Sequence, residues 1–136
     1  DEDGFEPRPN YWAAVLWAKL MGPSVLAPSA ETNVADLAVY AHCTPPAADE
    51  PGATYAVVNS SATETRTATT ASGKATVYLL TGENLDGMGA SLNGDVLEVA
   101  ADGALPELAG RQSSGAIEVP PASVAFVVDP DAEACR

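Results

Sequence analysis

The sequence predicts a mainly β protein, an antiparallel β-sandwich of about seven to nine short strands preceded by one N-terminal α-helix. Three observations point there. From residue 24 onward, apolar residues recur with a period of two, and turn residues interrupt them about every ten positions. Ala, Thr, Ser, Gly and Pro are abundant, which suits short strands joined by turns. The one long stretch without strand character is PNYWAAVLWAKLMGP, residues 9–23.

That stretch is bounded as a helix should be. Pro9 stands where a first turn tolerates proline, and Gly22-Pro23 stops the run. At 100° per residue, Tyr11, Trp12, Val15, Leu16, Trp17, Leu20 and Met21 spread around the whole wheel, with only Asn10 and Lys19 interrupting. A helix that is apolar on every side is expected to be buried on every side. It would be roughly 20 Å long, too short for a bilayer, and it carries an internal lysine. One small β-domain covers one side of such a rod, so a second body is expected on the other.

The strands follow in order. DEDGFEPRP is an acidic, proline-punctuated lead-in anchored by Phe5. SVLA (24–27) is a short candidate strand, followed by the loop PSAETNV. DLAVYAHC (36–43) alternates, with Leu37, Val39, Ala41 and Cys43 on one face and Ala38, Tyr40 and His42 on the other. The prolines of TPPAADEPGA (44–53) forbid a central strand there. TYAVVN (54–59) reads as a strand. TETRTATT (63–70) is β-branched but lacks large apolar residues, which places it at an edge or with one face in water. KATVYLLTG (74–82) is the most apolar strand. After the loop ENLDGMGA, ASLNGDVLEV (90–99) reads as a hairpin turning at Asn93-Gly94. ADGALPELAG and RQSSG read as connections, and AIEVPP (116–121) leads into the final strand SVAFVVD (123–129).

Charge and cysteines bound the function. Nineteen acidic residues against six basic give a net charge of −13. Such a surface repels nucleic acid, heparin-like polyanions and anionic membranes. No stretch is long enough to cross a membrane, and Asp1-Glu2-Asp3 is the reverse of a basic signal-peptide start. Cys43 and Cys135 leave two readings open, two unrelated buried thiols or one disulfide. The polar tail PDAEACR is an odd home for a buried free thiol and favours the bridge. A bridge would close a long loop, stabilise by about 4–5 kcal/mol in the chain-entropy model, and imply an oxidising compartment.

Catalytic motifs are not found. There is no nucleophile elbow, phosphate loop, zinc motif or EF-hand loop, and no cofactor is implied. A Ser-His-Asp triad would have to use His42, which reads more simply as a structural or surface residue. Glu98 and Glu118 invite comparison with glycosidase carboxylate pairs, but solvated strand positions explain them at less cost. Asp49, Glu50, Asp129 and Asp131 read as loop charges, with a weak calcium site as the alternative. Asn59-Ser60-Ser61 fits the N-glycosylation sequon. Trp12 and Trp17 belong to the helix, while Tyr40, Tyr55 and Tyr78 lie singly on strands.

Several stretches together resemble a known family. PNYWAAVLWAKLMGPSVL, LAVYAHCT, VYLLTGENLDGMGASLNGDVLEV, DGALPELAG, IEVPPASVAFVV and a near-terminal ACR occur in the order of the C-terminal part of the heparanase-like enzymes, glycoside hydrolase family 79. The similarity runs from about Glu2 to Cys135. It implies that residues 1–23 carry the last helix of a missing (β/α)8 barrel and that 24–136 are the C-terminal β-sandwich. In the family, strands from the enzyme's N-terminal end complete that sandwich. Tyr11, Trp12, Val15, Leu16, Trp17, Leu20 and Met21 would then be wedged between barrel and sandwich, and Cys43 would be bridged to Cys135.

The resemblance also implies a secreted parent enzyme that hydrolyses β-glucuronidic linkages with retention, using two barrel glutamates. Neither glutamate motif occurs here, so this chain alone is expected to be inactive. The implied partners are the barrel of the same parent and, through it, a glucuronic-acid-containing glycan. The six basic residues favour a less sulfated glucuronide, unless the barrel supplies positive charge. The alternative from another class is a stand-alone extracellular module for carbohydrate binding or adhesion.

Overall fold

The run SVAFVVD has no polar residue between Ser123 and Asp129, so a strand built from it needs cover on both faces. It receives both. The computed structural model describes residues 9–26, 36–45, 52–70, 72–82, 90–114, 116–132 and 135. Among these are one helix, α1 (Pro9–Leu20), and ten strands. The strands are β1 (Val25–Leu26), β2 (Leu37–Cys43), β3 (Ala53–Asn59), β4 (Arg66–Thr69), β5 (Ala75–Gly82), β6 (Ala90–Leu92), β7 (Asp95–Val96), β8 (Arg111–Ser113), β9 (Ala116–Val119) and β10 (Ser123–Asp129).

Every pairing is antiparallel. The large sheet runs β1-β2-β3-β10-β5-β6-β7, with β8 also paired to β5, and β4-β9 form a separate small sheet. The predicted mainly β, antiparallel class is what the structure has. Register sorts the side chains. Opposite Ala56, Phe126 and Tyr78 in one row stand Val57, Ala125 and Leu79 in the next. Ala56, Tyr78, Leu80, Phe126 and Val128 face α1, while Val57, Val77, Ala125 and Val127 face Ile117 and Val119 of the small sheet. The order is therefore helix, large sheet, small sheet, and β10 lies in the middle layer.

Local chemistry places the connections. Asn93 (φ 51°) and Gly94 (φ 91°) make the two-residue turn between β6 and β7, the left-handed pair that such a hairpin needs. Asn93 does more than turn. Its Oδ1 accepts from the Leu79 amide (3.0 Å) and its Nδ2 donates to the Val77 carbonyl (2.9 Å). Along the same edge of β5, β8 pairs with residues 75–77 and β6 with residues 80–82. The Asn93 side chain fills the gap between them like a short piece of strand. Where TETRTATT was expected at an edge, β4 lies in the two-stranded sheet with alternating exposure.

Two readings of the sequence are corrected. RQSSG is not only a connection, because Arg111–Ser113 form β8, a strand of polar residues paired to β5 and tied further by Arg111 to the Asn93 carbonyl (2.8 Å) and by Gln112 to Thr76 Oγ1 (3.2 Å). AIEVPP does not run on into the last strand. Pro120-Pro121 and Ala122 (φ 55°) turn the chain out of the small sheet and into the large one. The Ala122 amide donates to the Ser61 carbonyl there (2.9 Å), and Ser123 Oγ donates to the Pro120 carbonyl (2.6 Å). The lead-in with Phe5, the loop 28–34, most of the loop 44–53 with Asp49 and Glu50, and the loop 83–89 lie outside the described residues.

Candidate functional site: the helix and its open flank

Spacing of four puts Trp12, Leu16 and Leu20 on one stripe of α1. These three and Met21 are buried in the core against the large sheet. Four large side chains removed from water contribute roughly 6–12 kcal/mol gross, an upper figure because the unfolded chain already hides part of that area. Tyr11 and Val15 are half-buried beside them. Lys19 closes one side. Its Nζ donates to the Leu108 carbonyl (2.7 Å) and lies 5.7 Å from the centre of the Tyr78 ring, which holds the 97–110 segment against the helix.

The remaining face is open. Ala14 and Ala18 are exposed, and Trp17 keeps 37% of its surface in water. Trp17 leans over β2, where Tyr40 (5.9 Å between ring centres) and His42 (5.3 Å) meet it edge-on. Tyr40 is 50% exposed and nearby Val25 on β1 is 71% exposed. The sequence expectation was a helix covered all round. Its own sheet covers one side, and the other presents apolar and aromatic groups on a chain of net charge −13.

A hydrogen-bonded joint fixes this flank. The Met21 amide continues the helix to the Trp17 carbonyl (2.8 Å). The Gly22 amide then donates to the Cys43 carbonyl (2.8 Å), and the Cys43 amide donates to the Ser24 carbonyl (2.9 Å). His42 Nδ1 lies 2.6 Å from the Gly22 carbonyl. A carbonyl only accepts, so Nδ1 carries the proton. Gly22 must be glycine for space, since a Cβ there would sit 2.5 Å from the Cys43 oxygen. Cys43 is also disulfide-bonded to Cys135, with 5.5 Å between their Cα atoms. Helix end, β1, β2 and chain tail therefore meet at His42-Cys43.

Among the described residues, the other candidates form no shared site. Glu98 and Glu118 are both exposed, Glu98 outside any strand and Glu118 on β9. Asp129 is not the loop charge expected of it. It ends β10 almost fully buried, where its Oδ1 accepts from Ser72 Oγ (2.6 Å) and from the Asp131 amide (3.1 Å). Asp131 pairs with Lys74 (3.0 Å). Sequence reasoning missed Tyr40 and His42 as neighbours of Trp17. The available signal was the alternation of β2, which puts Tyr40 and His42 on the face away from Leu37, Val39 and Cys43.

No family model matches the chain. Individual proteins do. It is 33% identical to baicalin-β-D-glucuronidase of Scutellaria baicalensis over 129 residues, 89% of this chain and 24% of that protein. It is 32% identical to human inactive heparanase-2 across 99% of this chain and 27% of that protein. Rat heparanase shares 43% identity over 44 residues, 32% of this chain and 8% of that protein. The chain is related to the heparanase-like proteins, glycoside hydrolase family 79. It spans about a quarter of the length of the first two of these relatives. One of these relatives is named a glucuronidase and another is named inactive.

Proposed function

We propose that this chain is the non-catalytic C-terminal β-domain, with the last barrel helix, of a secreted retaining glycoside hydrolase acting on β-glucuronidic linkages. Its task is to pack on the catalytic barrel and stabilise it. The barrel brings both glutamates and binds the glucuronic-acid-containing glycan, and this chain contributes the flank against which the barrel rests. Residues 1–23 belong to the barrel's last helix and 24–136 to the sandwich.

The observation that carries the reading is the division of α1 into two apolar faces. One is spent on the chain's own sheet, and the other leaves Ala14, Trp17 and Ala18 exposed, with Trp17 against Tyr40 and His42. The exposed part of Trp17, about 37% of roughly 250 Å2, is on the order of 90 Å2, or about 2 kcal/mol of gross burial available to a partner. The small sheet adds support. It has two strands among the described residues, and strands contributed from elsewhere in the parent would extend it. The disulfide is consistent with an extracellular or other oxidising compartment, and no described helix is long and apolar enough to cross a membrane. The alternative carbohydrate-binding module is less well supported, because the Trp17 and Tyr40 rings meet at 66° and offer no common flat face to a sugar.

The test is to produce residues 1–136 alone and together with the parent's upstream region. The isolated chain should bind a hydrophobic dye or self-associate, and the upstream region should relieve this. A dye-silent monomer whose gene encodes no upstream barrel with two strand-end glutamates would refute the proposal.

A further inference from the structure

Asn59-Ser60-Ser61 matches the N-glycosylation sequon, yet the structure uses every polar group of Asn59. The residue ends β3, opposite Ser123 of β10, with 1% of its surface exposed. Its Nδ2 donates to the carbonyls of Glu64 (2.8 Å), Val119 (2.9 Å) and Pro120 (3.1 Å), and its Oδ1 accepts from the Ser61 amide (3.1 Å). Val119 belongs to the small sheet and is itself fully buried. One amide therefore ties the end of a large-sheet strand to the point where β9 leaves the small sheet. The sequon serine is equally engaged. Ser61 is buried, its Oγ accepts from the Thr63 and Glu64 amides, and its carbonyl accepts from Ala122.

N-glycosylation forms a bond from the asparagine Nδ2 to the anomeric carbon of a lipid-linked oligosaccharide. The lipid pyrophosphate departs, and Nδ2 gives up one of its two protons. A glycosylated Asn59 would keep one N–H for three carbonyls and would drive a sugar into the seam between the sheets. We propose that the folded protein withholds this sequon from N-glycosylation, because the Asn59 amide is an inter-sheet tie and glycan occupancy and the native fold exclude one another. The reasoning stands apart from the docking of the helix flank.

The experiment offers the 136-residue chain to an oligosaccharyltransferase with a lipid-linked oligosaccharide, in two states. One is oxidised and folded, the other reduced and unfolded. Attachment at Asn59 is read by mass. The folded chain should react at least about 100-fold more slowly, because modification must wait for the tie to open. Equal rates in the two states would overturn the proposal. An unfolded chain that also stays unmodified would overturn it as well, since the protection would then owe nothing to the fold. A second reading uses the chain secreted from a eukaryotic cell. Disulfide-bonded molecules free of glycan at Asn59 are expected, whereas a disulfide-bonded, glycan-bearing form with an unchanged melting temperature would contradict it.

Discussion

Replacing Cys43 by serine isolates what the disulfide contributes at the helix joint. The Cys43–Cys135 bridge closes a loop of 92 positions. The chain-entropy relation gives about 4.6 kcal/mol at 25 °C for that loop. For a domain of this size the loss is a fall in Tm of roughly 15–20 °C. The main-chain bonds of Cys43 to Gly22 and Ser24 involve no sulfur, so they survive the substitution and the loss reports the bridge. The assay is a thermal melt by circular dichroism of wild type, Cys43→Ser and Cys135→Ser, each oxidised and each reduced under denaturant and refolded. Both variants should melt together in either state, and the reduced wild type should join them. A Cys43→Ser loss of equal size relative to the reduced and the oxidised wild type would refute the reasoning, because the serine would then be acting through packing alone.

Asn93→Ala should cost about 2–4 kcal/mol, since the Leu79 amide and Val77 carbonyl lose partners and alanine resists a left-handed backbone. Asn93→Gly should be about 1 kcal/mol milder, and amide exchange at Leu79 should quicken in both, which denaturant titration with hydrogen exchange will show. Gly22→Ala places a methyl against the backbone of Cys43, Thr44 and Pro45 and should cost about 2–3 kcal/mol, with loss of the near-ultraviolet signal of the Trp17–Tyr40 pair. Burial, and then the charge of Asp129, push the Tyr55 phenol above its ordinary range. The unfolded chain gives up that proton near pH 10 and the folded one later, so the contribution is intact below pH 10 and is lost as pH rises through the folded value. Denaturant titrations from pH 9 to 11 should show Tyr55→Phe with a shallower alkaline decline than wild type, and an unchanged decline would exclude this origin.

The parts of the fold that were legible in the sequence are those whose cause is local. Asn93-Gly94 announced its hairpin because few other pairs accept two left-handed residues. TETRTATT announced partial exposure because it has nothing large to bury. β8 was illegible for the opposite reason, since Arg111, Gln112 and Ser113 have no apolar alternation, and the β5 backbone, Asn93 and Thr76 that hold them are brought near only by the fold. Asp129 looked like a loop charge because only the fold brings Ser72 beside it. The helix shows the limit most clearly. An apolar residue on every side says that every side wants cover, but not which side the chain covers itself. Position on the sheet decided that Trp12, Leu16 and Leu20 turn inward and Trp17 outward. The same holds for Tyr40, which became part of the flank only once the fold set β2 beside Trp17.

The two tryptophans allow a direct test of the open flank. Hydroxyl-radical footprinting would compare Trp12 and Trp17 in the isolated 136-residue chain and in the full-length parent. Trp12 should be protected in both, and Trp17 should be labelled in the isolated chain and protected in the parent. Equal labelling of Trp17 in the two would contradict the view that the parent's barrel lies on this face of the helix.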